Sequence, residues 1–325
     1  MSKNSRRHGA FSVDPPDIGF SVKSEGRKRD SMSIKQALRL TFTQMEVTGR
    51  RPRTIGSYDY IFNDFIERTE LEYVDEIDAD SIYEYLGELD VAPSTKLIRL
   101  KTIKAVLSRF YDNRWIDEKF WTGIQIKVDK EVKQGAEETD IEVLLSLIDK
   151  SAFIGFRDSI AILVLYRTGI RIRTLGELRE RHIDFDNLTL NLDGQTLKNR
   201  DYLKLPIDEE LAEGLRVLIA QNKKIRKHNG TRNQFIFITQ TGNGINNSKS
   251  NTNAISKQLS KYAERHGLQN INAHAIRRAF AKNLLNRGAS IVLISKALGH
   301  SDLGVTTQYL QFDVEEVATN LRDYL

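Results

Sequence analysis

Leu298-Gly-His300-Ser-Asp-Leu-Gly-Val-Thr-Thr-Gln-Tyr309 places a histidine beside a glycine turn and a tyrosine nine residues further on, close to the end of the chain. Two other stretches share its character, with polar side chains set into otherwise apolar helical sequence. His274-Ala-Ile-Arg277 puts an imidazole and a guanidinium three residues apart, hence on one face of a helix. Thr168-Gly-Ile-Arg171 follows Phe156–Tyr166, a run apolar nearly all round that predicts a buried helix. Taken singly, each has an ordinary reading. A histidine near a glycine turn caps a helix, and a tyrosine fills core or surface.

The sequence between these stretches predicts mixed structure. Leu188, Leu190 and Leu192 alternate with polar residues, Asp193-Gly194 is a turn signal, and Leu203 and Leu205 alternate again. That pattern predicts an antiparallel ribbon. Phe235-Ile-Phe-Ile reads as a further short strand, and beyond the Gly/Asn-rich loop 241–251 the chain reads as helix to its end. Residues 126–138 are charged and poor in apolar side chains, so composition assigns them to a linker ahead of a domain spanning 139–325.

Residues 31–125 predict a compact helical domain. Ser33 caps a first helix, Gly49-Arg-Arg-Pro52 breaks it, and Ile55, Tyr58, Ile61, Phe62 and Phe65 recur at helical spacing. A third helix starts near Asp80-Ser81. Pro93-Ser-Thr95 starts a fourth, carrying Leu97, Leu100, Ile103, Val106, Leu107 and Phe110 on one stripe. Arg50, Arg51, Arg53, Lys96, Arg99, Lys101 and Lys104 stand at helix starts or on the polar face of that fourth helix. Such placement suits phosphate contacts and equally suits a solvated face.

Composition narrows the function classes. The chain has 325 residues, 49 Lys+Arg against 44 Asp+Glu, and no cysteine. Its length predicts more than one core. The lack of cysteine removes disulfides, thiolate metal sites and cysteine nucleophiles, and fits a reducing, cytoplasmic setting. The N-terminal residues lack the apolar segment of a secretory signal, and no stretch predicts a membrane span. Residues 1–30 carry seven basic and four acidic side chains, and read either as a solvated tail or as a basic arm on DNA.

Together the three stretches resemble the tyrosine recombinase (phage integrase) family. Its pattern is an arginine in a T-G-x-R box, a lysine on a β-hairpin, an H-x-x-R box, then L-G-H and a tyrosine nine later. Here Arg171, Lys198, His274, Arg277, His300 and Tyr309 occur in that order, with Lys204 a competitor for the hairpin lysine. Thr54-Ile-x-x-Tyr58 and Pro93-Ser-Thr95 look like the family's helical, SAM-like core-binding domain. The resemblance implies a mainly α fold with a small antiparallel β-sheet, and an N-terminal helical domain ahead of a catalytic domain with a C-terminal tail helix.

It also implies the chemistry. Tyr309 would attack a DNA phosphorus to give a 3′-phosphotyrosine and a free 5′-hydroxyl, with no cofactor and no metal. Arg171, Arg277 and His300 would hold the phosphoryl oxygens, Lys198 would protonate the leaving oxygen, and His274 would accept or orient the tyrosine proton. The implied partners are double-stranded DNA with inverted half-sites, further copies of the chain as dimer or tetramer, and an accessory DNA-bending or directionality protein. Two positions depart from the family pattern. Thr174 stands where an acidic residue is usual, and Arg173 where a small one is. The same fold also serves sequence-specific regulators, such as phage repressors, that do not exchange strands.

Overall fold

The computed structural model describes residues 32–129, 133–194, 197, 202–246, 253–300 and 302–310, with the side chains of Gln308 and Tyr309 outside that set. The chain divides into two compact units at residue 130.

The first unit is built from four helices, α1 (Ile34–Val47), α2 (Pro52–Thr69), α3 (Ala79–Glu88) and α4 (Pro93–Asp112). Their starts follow from local chemistry. The Ser33 hydroxyl accepts the Gln36 N–H, Asp78 and Ser81 cap one another reciprocally, and prolines occupy the opening turns of α2 and α4. The fully buried Phe62, Phe65, Tyr85 and Phe110 centre the core. Phe62 meets Phe65 and Phe110 edge-on at 5.5 and 5.7 Å, and Phe65 meets Tyr85 at 5.3 Å.

The second unit contains α5 (Glu138–Leu147), α6 (Phe153–Thr168), α7 (Ile172–Glu177), β1 (Ile183–Asp184), β2 (Thr189–Leu192), β3 (Leu203–Pro206) and α8 (Glu209–Asn229). It continues through α9 (Ala254–His266), α10 (Ala273–Asn286), α11 (Ile291–Ala297) and α12 (Leu303–Tyr309). The fold is mainly α, with one small antiparallel sheet in the order β1-β2-β3. Leu190 pairs with Leu205 in its register, and both are buried with Leu192. The strongly apolar α6 packs against α8 and α10, at the centre of this unit's core. A pair of ions lies within it. Arg157 donates to Asp158 at 2.6 Å and to the Ile238 carbonyl at 2.9 Å, and the Tyr262 hydroxyl donates to Asp158 at 3.1 Å.

The structure corrects two expectations. Gln134–Ala136, assigned by composition to the linker 126–138, lie against α10. The Ala136 N–H donates to Ala275 O at 3.0 Å, Arg278 Nε donates to Gln134 O at 2.7 Å, and Asn270 Nδ2 donates to Gly135 O at 2.7 Å. Gly135 is needed for this approach, since a Cβ there would fall 3.0 Å from Ala279 N. Phe235–Ile238 is no strand. It makes isolated bridges to Arg179 and Gly244, and it is buried because Ile236, Phe237 and Ile238 are all core residues.

Candidate active site

Gly169 begins the site. It ends α6 in the left-handed conformation at φ 61°, which glycine adopts without a steric cost. The turn releases Arg171 as the residue capping α7, with extended backbone. The same turn leaves the Gly169 carbonyl as an acceptor for Nη1 of Arg277 on α10. Arg277 is 2% exposed. Its Nη2 donates to the Leu298 carbonyl at 2.6 Å and meets His300 Nε2 at 3.0 Å. One buried guanidinium thus ties the end of α6 to α10 and to the Leu298-Gly-His300 turn, through charge-assisted bonds that offset part of its desolvation.

A guanidinium can only donate, so His300 Nε2 accepts from Arg277 and its proton sits on Nδ1. That Nδ1–H faces the Thr306 hydroxyl at 2.9 Å, and Thr306 on α12 is fully buried. Desolvation of the half-buried ring, followed by the charges of Arg277 and Arg171, holds the imidazole down to a pKa of about 4. His274 follows the same direction. Desolvation pushes its pKa below the usual histidine value, and the charges of Arg277, Arg278, Arg171 and Lys133 push it further. Both rings are therefore disposed to be neutral at neutral pH, one as an oriented acceptor and one able to take up a proton.

Asn272 caps α10 by accepting the His274 and Ala275 N–H groups at 3.1 and 2.9 Å, which fixes the start of the helix that carries both His274 and Arg277. Four of the six signature positions, Arg171, His274, Arg277 and His300, are thereby brought within reach of one another's charge. Tyr309 ends α12, beside Leu310, which is buried with Ala281, Ile294 and Leu298. Lys198, the side chain of Tyr309, residues 1–31 and the tail beyond Leu310 lie outside the described residues. Lys204 lies on β3 and is exposed. Thr174, at the position where the family pattern usually has an acidic residue, is buried at 3% exposure. Among the described residues no group of three or more His, Asp or Glu side chains could hold a metal ion, and no helix is long and apolar enough to cross a membrane.

The basic residues of the first unit do not share one environment, which corrects their reading as a set. Arg99 donates to the Asp64 carboxylate and, at 2.5 Å, to the Tyr85 hydroxyl. Lys96 Nζ bonds Leu86 O at 2.7 Å, and Lys104 Nζ bonds Ile124 O at 2.6 Å. These three tether helices and a turn from inside the unit. Arg50, Arg53 and Lys101 are exposed, and Arg51 is half-buried.

Comparison with known proteins identifies the family. A profile of the phage integrase family matches residues 136–316, more than half of the chain. The chain belongs to the phage integrase family, that of the tyrosine recombinases. Its similarity to individual family members is modest. Tyrosine recombinase XerA of Thermococcus kodakarensis is 24% identical over 276 residues, covering 85% of this chain and 90% of that protein. Tyrosine recombinase XerC of Chlamydia caviae is 28% identical over 235 residues, covering 71% and 72%. Among solved structures, a lambda integrase dimer bound to a COC′ core site superposes with a TM-score of 0.65 at 14% identity, covering 86% of this chain and 78% of that one. The Tn1549 transposon integrase in complex with circular intermediate DNA gives 0.64 at 19% identity, covering 90% and 99%. These structures share the fold of this family member.

Sequence reasoning missed three contributors to the site. Thr306 is an ordinary helix residue in the sequence. The Gly169 carbonyl carries no side-chain signature. Residues 133–136, which bring Lys133 into the electrostatic surroundings of His274, look like linker.

Proposed function

We propose that this family member is a site-specific DNA recombinase that binds duplex DNA and breaks and rejoins strands through a 3′-phosphotyrosine at Tyr309. The observation that carries this reading is the convergence of charge from Arg171 and Arg277 on two histidines held neutral. Two guanidiniums that stay charged at every working pH match a phosphodiester whose transition state gathers negative charge on its non-bridging oxygens.

The step balances on the chain's own groups. The Tyr309 oxygen forms the new bond to phosphorus as the bond to the 5′-oxygen breaks. The phenol proton passes to neutral His274, and the departing oxygen is protonated from Lys198. Reversal by a 5′-hydroxyl reseals the strand, so the phosphotyrosine conserves the bond energy. The DNA-bound relatives support duplex DNA as partner, with copies of the chain on inverted half-sites, and an accessory DNA-bending or directionality protein belongs to the same reading. The same reading puts the protein in the cytoplasm, at the nucleoid, where its DNA substrate would lie.

A second reading is supported by Thr174, buried without a carboxylate at a position that would brace the arginines. In it the protein is a sequence-specific regulator of phage, plasmid or transposon origin, for example a repressor, that binds DNA without cutting it. A duplex selected by the protein from a random pool, then nicked beside the scissile position, separates the two. The recombinase accumulates a covalent adduct on Tyr309 that Tyr309→Phe abolishes while binding persists. Binding without any adduct would overturn the recombinase reading in favour of the regulator.

A further inference from the structure

Thr306 lies on α12 one turn before Tyr309, fully buried, with its hydroxyl 2.9 Å from His300 Nδ1. The opposite ring nitrogen, Nε2, is 3.0 Å from Arg277 Nη2. Because the guanidinium has no lone pair to offer, these two distances fix both proton positions. Arg277 donates into Nε2, and His300 donates from Nδ1 into Thr306. An unoriented imidazole samples two tautomers and two ring flips. Here Arg277 selects the tautomer, and a hydroxyl on the tyrosine-bearing helix accepts the resulting Nδ1–H and keeps the ring from flipping.

We propose that Thr306 is a positioning residue for strand cleavage, its hydroxyl accepting the His300 Nδ1–H and holding the ring in the orientation that faces Nε2 toward the scissile phosphate beside Arg277. The role rests on the recombinase reading above. With DNA absent, the Nε2 lone pair is engaged by Arg277. When an anionic phosphate enters, Nε2 takes a proton from solvent and becomes a donor to a phosphoryl oxygen, while the Nδ1–H bond to Thr306 is kept. The ring changes its charge without turning. The same bond fastens α12 to the arginine cluster, so the placement of the helix that ends at Tyr309 and the orientation of His300 are set together.

Selective nitrogen-15 labelling of the six histidines in the intact protein, with His300 assigned by loss of its signals in His300→Gln, reads the tautomer directly. The expected result is an Nδ1–H, Nε2-unprotonated ring in the DNA-free chain, its Nδ1 proton protected from exchange with water, with that protection lost in Thr306→Val and kept in Thr306→Ser. On the nicked duplex, Thr306→Val is expected to form the Tyr309 adduct roughly tenfold more slowly at unchanged DNA affinity, and Thr306→Ser within about twofold of the unaltered chain, as suits one lost hydrogen bond to a buried donor. A dominant Nε2–H tautomer in the unaltered chain would overturn the proposal, and so would equal adduct rates for the unaltered chain and Thr306→Val. The ring measurements need no DNA. An unaltered chain that never forms an adduct therefore fails the recombinase reading alone, while the ring measurement still decides whether Thr306 orients His300.

Discussion

His300→Gln removes a titrating ring from the site and leaves an uncharged amide in its place. In the folded chain the imidazole resists protonation down to about 4, whereas in the unfolded chain it titrates near 6.5. Above the unfolded value both states are neutral and the ring adds no pH dependence. Below it the unfolded chain binds a proton that the folded chain refuses, so stability is lost as pH falls from about 6.5 towards 4 and levels off beneath that. Between about pH 7.5 and pH 5 the difference in protonation is worth about 2 kcal/mol, reduced to roughly 1 kcal/mol because a half-buried ring keeps some screening by water.

The quantity to measure is the pH dependence of the difference between the unaltered chain and the variant. His182 and His274 are shifted in the same direction but remain in both proteins, so their contributions cancel. Both tryptophans, Trp115 and Trp121, lie in the first unit, so their fluorescence does not read this transition. Urea unfolding followed by hydrogen exchange of α10 amides does. The hydrogen bonds lost on substitution give a constant offset, while the expected signature is a slope confined to the acid side. Unfolding curves that remain parallel across that range would refute the neutral, desolvated ring and with it the tautomer derived for the site.

Three further outcomes follow from the packing. Gly169→Ala forces a Cβ to within 2.2 Å of the Phe280 ring at a positive φ, and should cost about 2–4 kcal/mol; an unchanged melting temperature would contradict the turn geometry. Asp158→Ala leaves Arg157 buried beside no carboxylate from that position and should destabilise the second unit by about 3–5 kcal/mol, against about 1 kcal/mol for Tyr262→Phe, both read by denaturant titration. Arg53→Gln and Lys101→Gln should each weaken duplex binding across all sequences and lower the salt slope by about one unit, whereas Arg99→Gln should lower the stability of the first unit and leave that slope unchanged; a slope that falls equally for all three would refute the division of these cations.

Much of the fold was legible because its signals are local. Ser33 caps α1, Pro93 opens α4, and the alternation of Leu190, Leu192 and Leu205 specifies the paired face of β2 and β3. The site was legible as a set of residue types in a fixed order, which survives large changes in the surrounding sequence. What stayed hidden depends on partners distant in the chain. Arg99 looks like any surface cation until Asp64, 35 residues earlier, folds against it. Gln134–Ala136 are held through backbone groups, and backbone groups leave no trace in composition. Pro52, which the sequence offers as the break after α1, also opens α2, because its fixed φ suits the first helical turn.

The burial of Arg277 has a practical consequence for anyone building an inactive form of this protein. Its side chain is a mechanical joint among α6, α10 and the turn after α11, so exchanging it would loosen the scaffold as well as remove a cation from the site. On the recombinase reading, an inert decoy that still grips its target should instead be sought at Tyr309, the proposed nucleophile, with Arg277 kept to hold that joint.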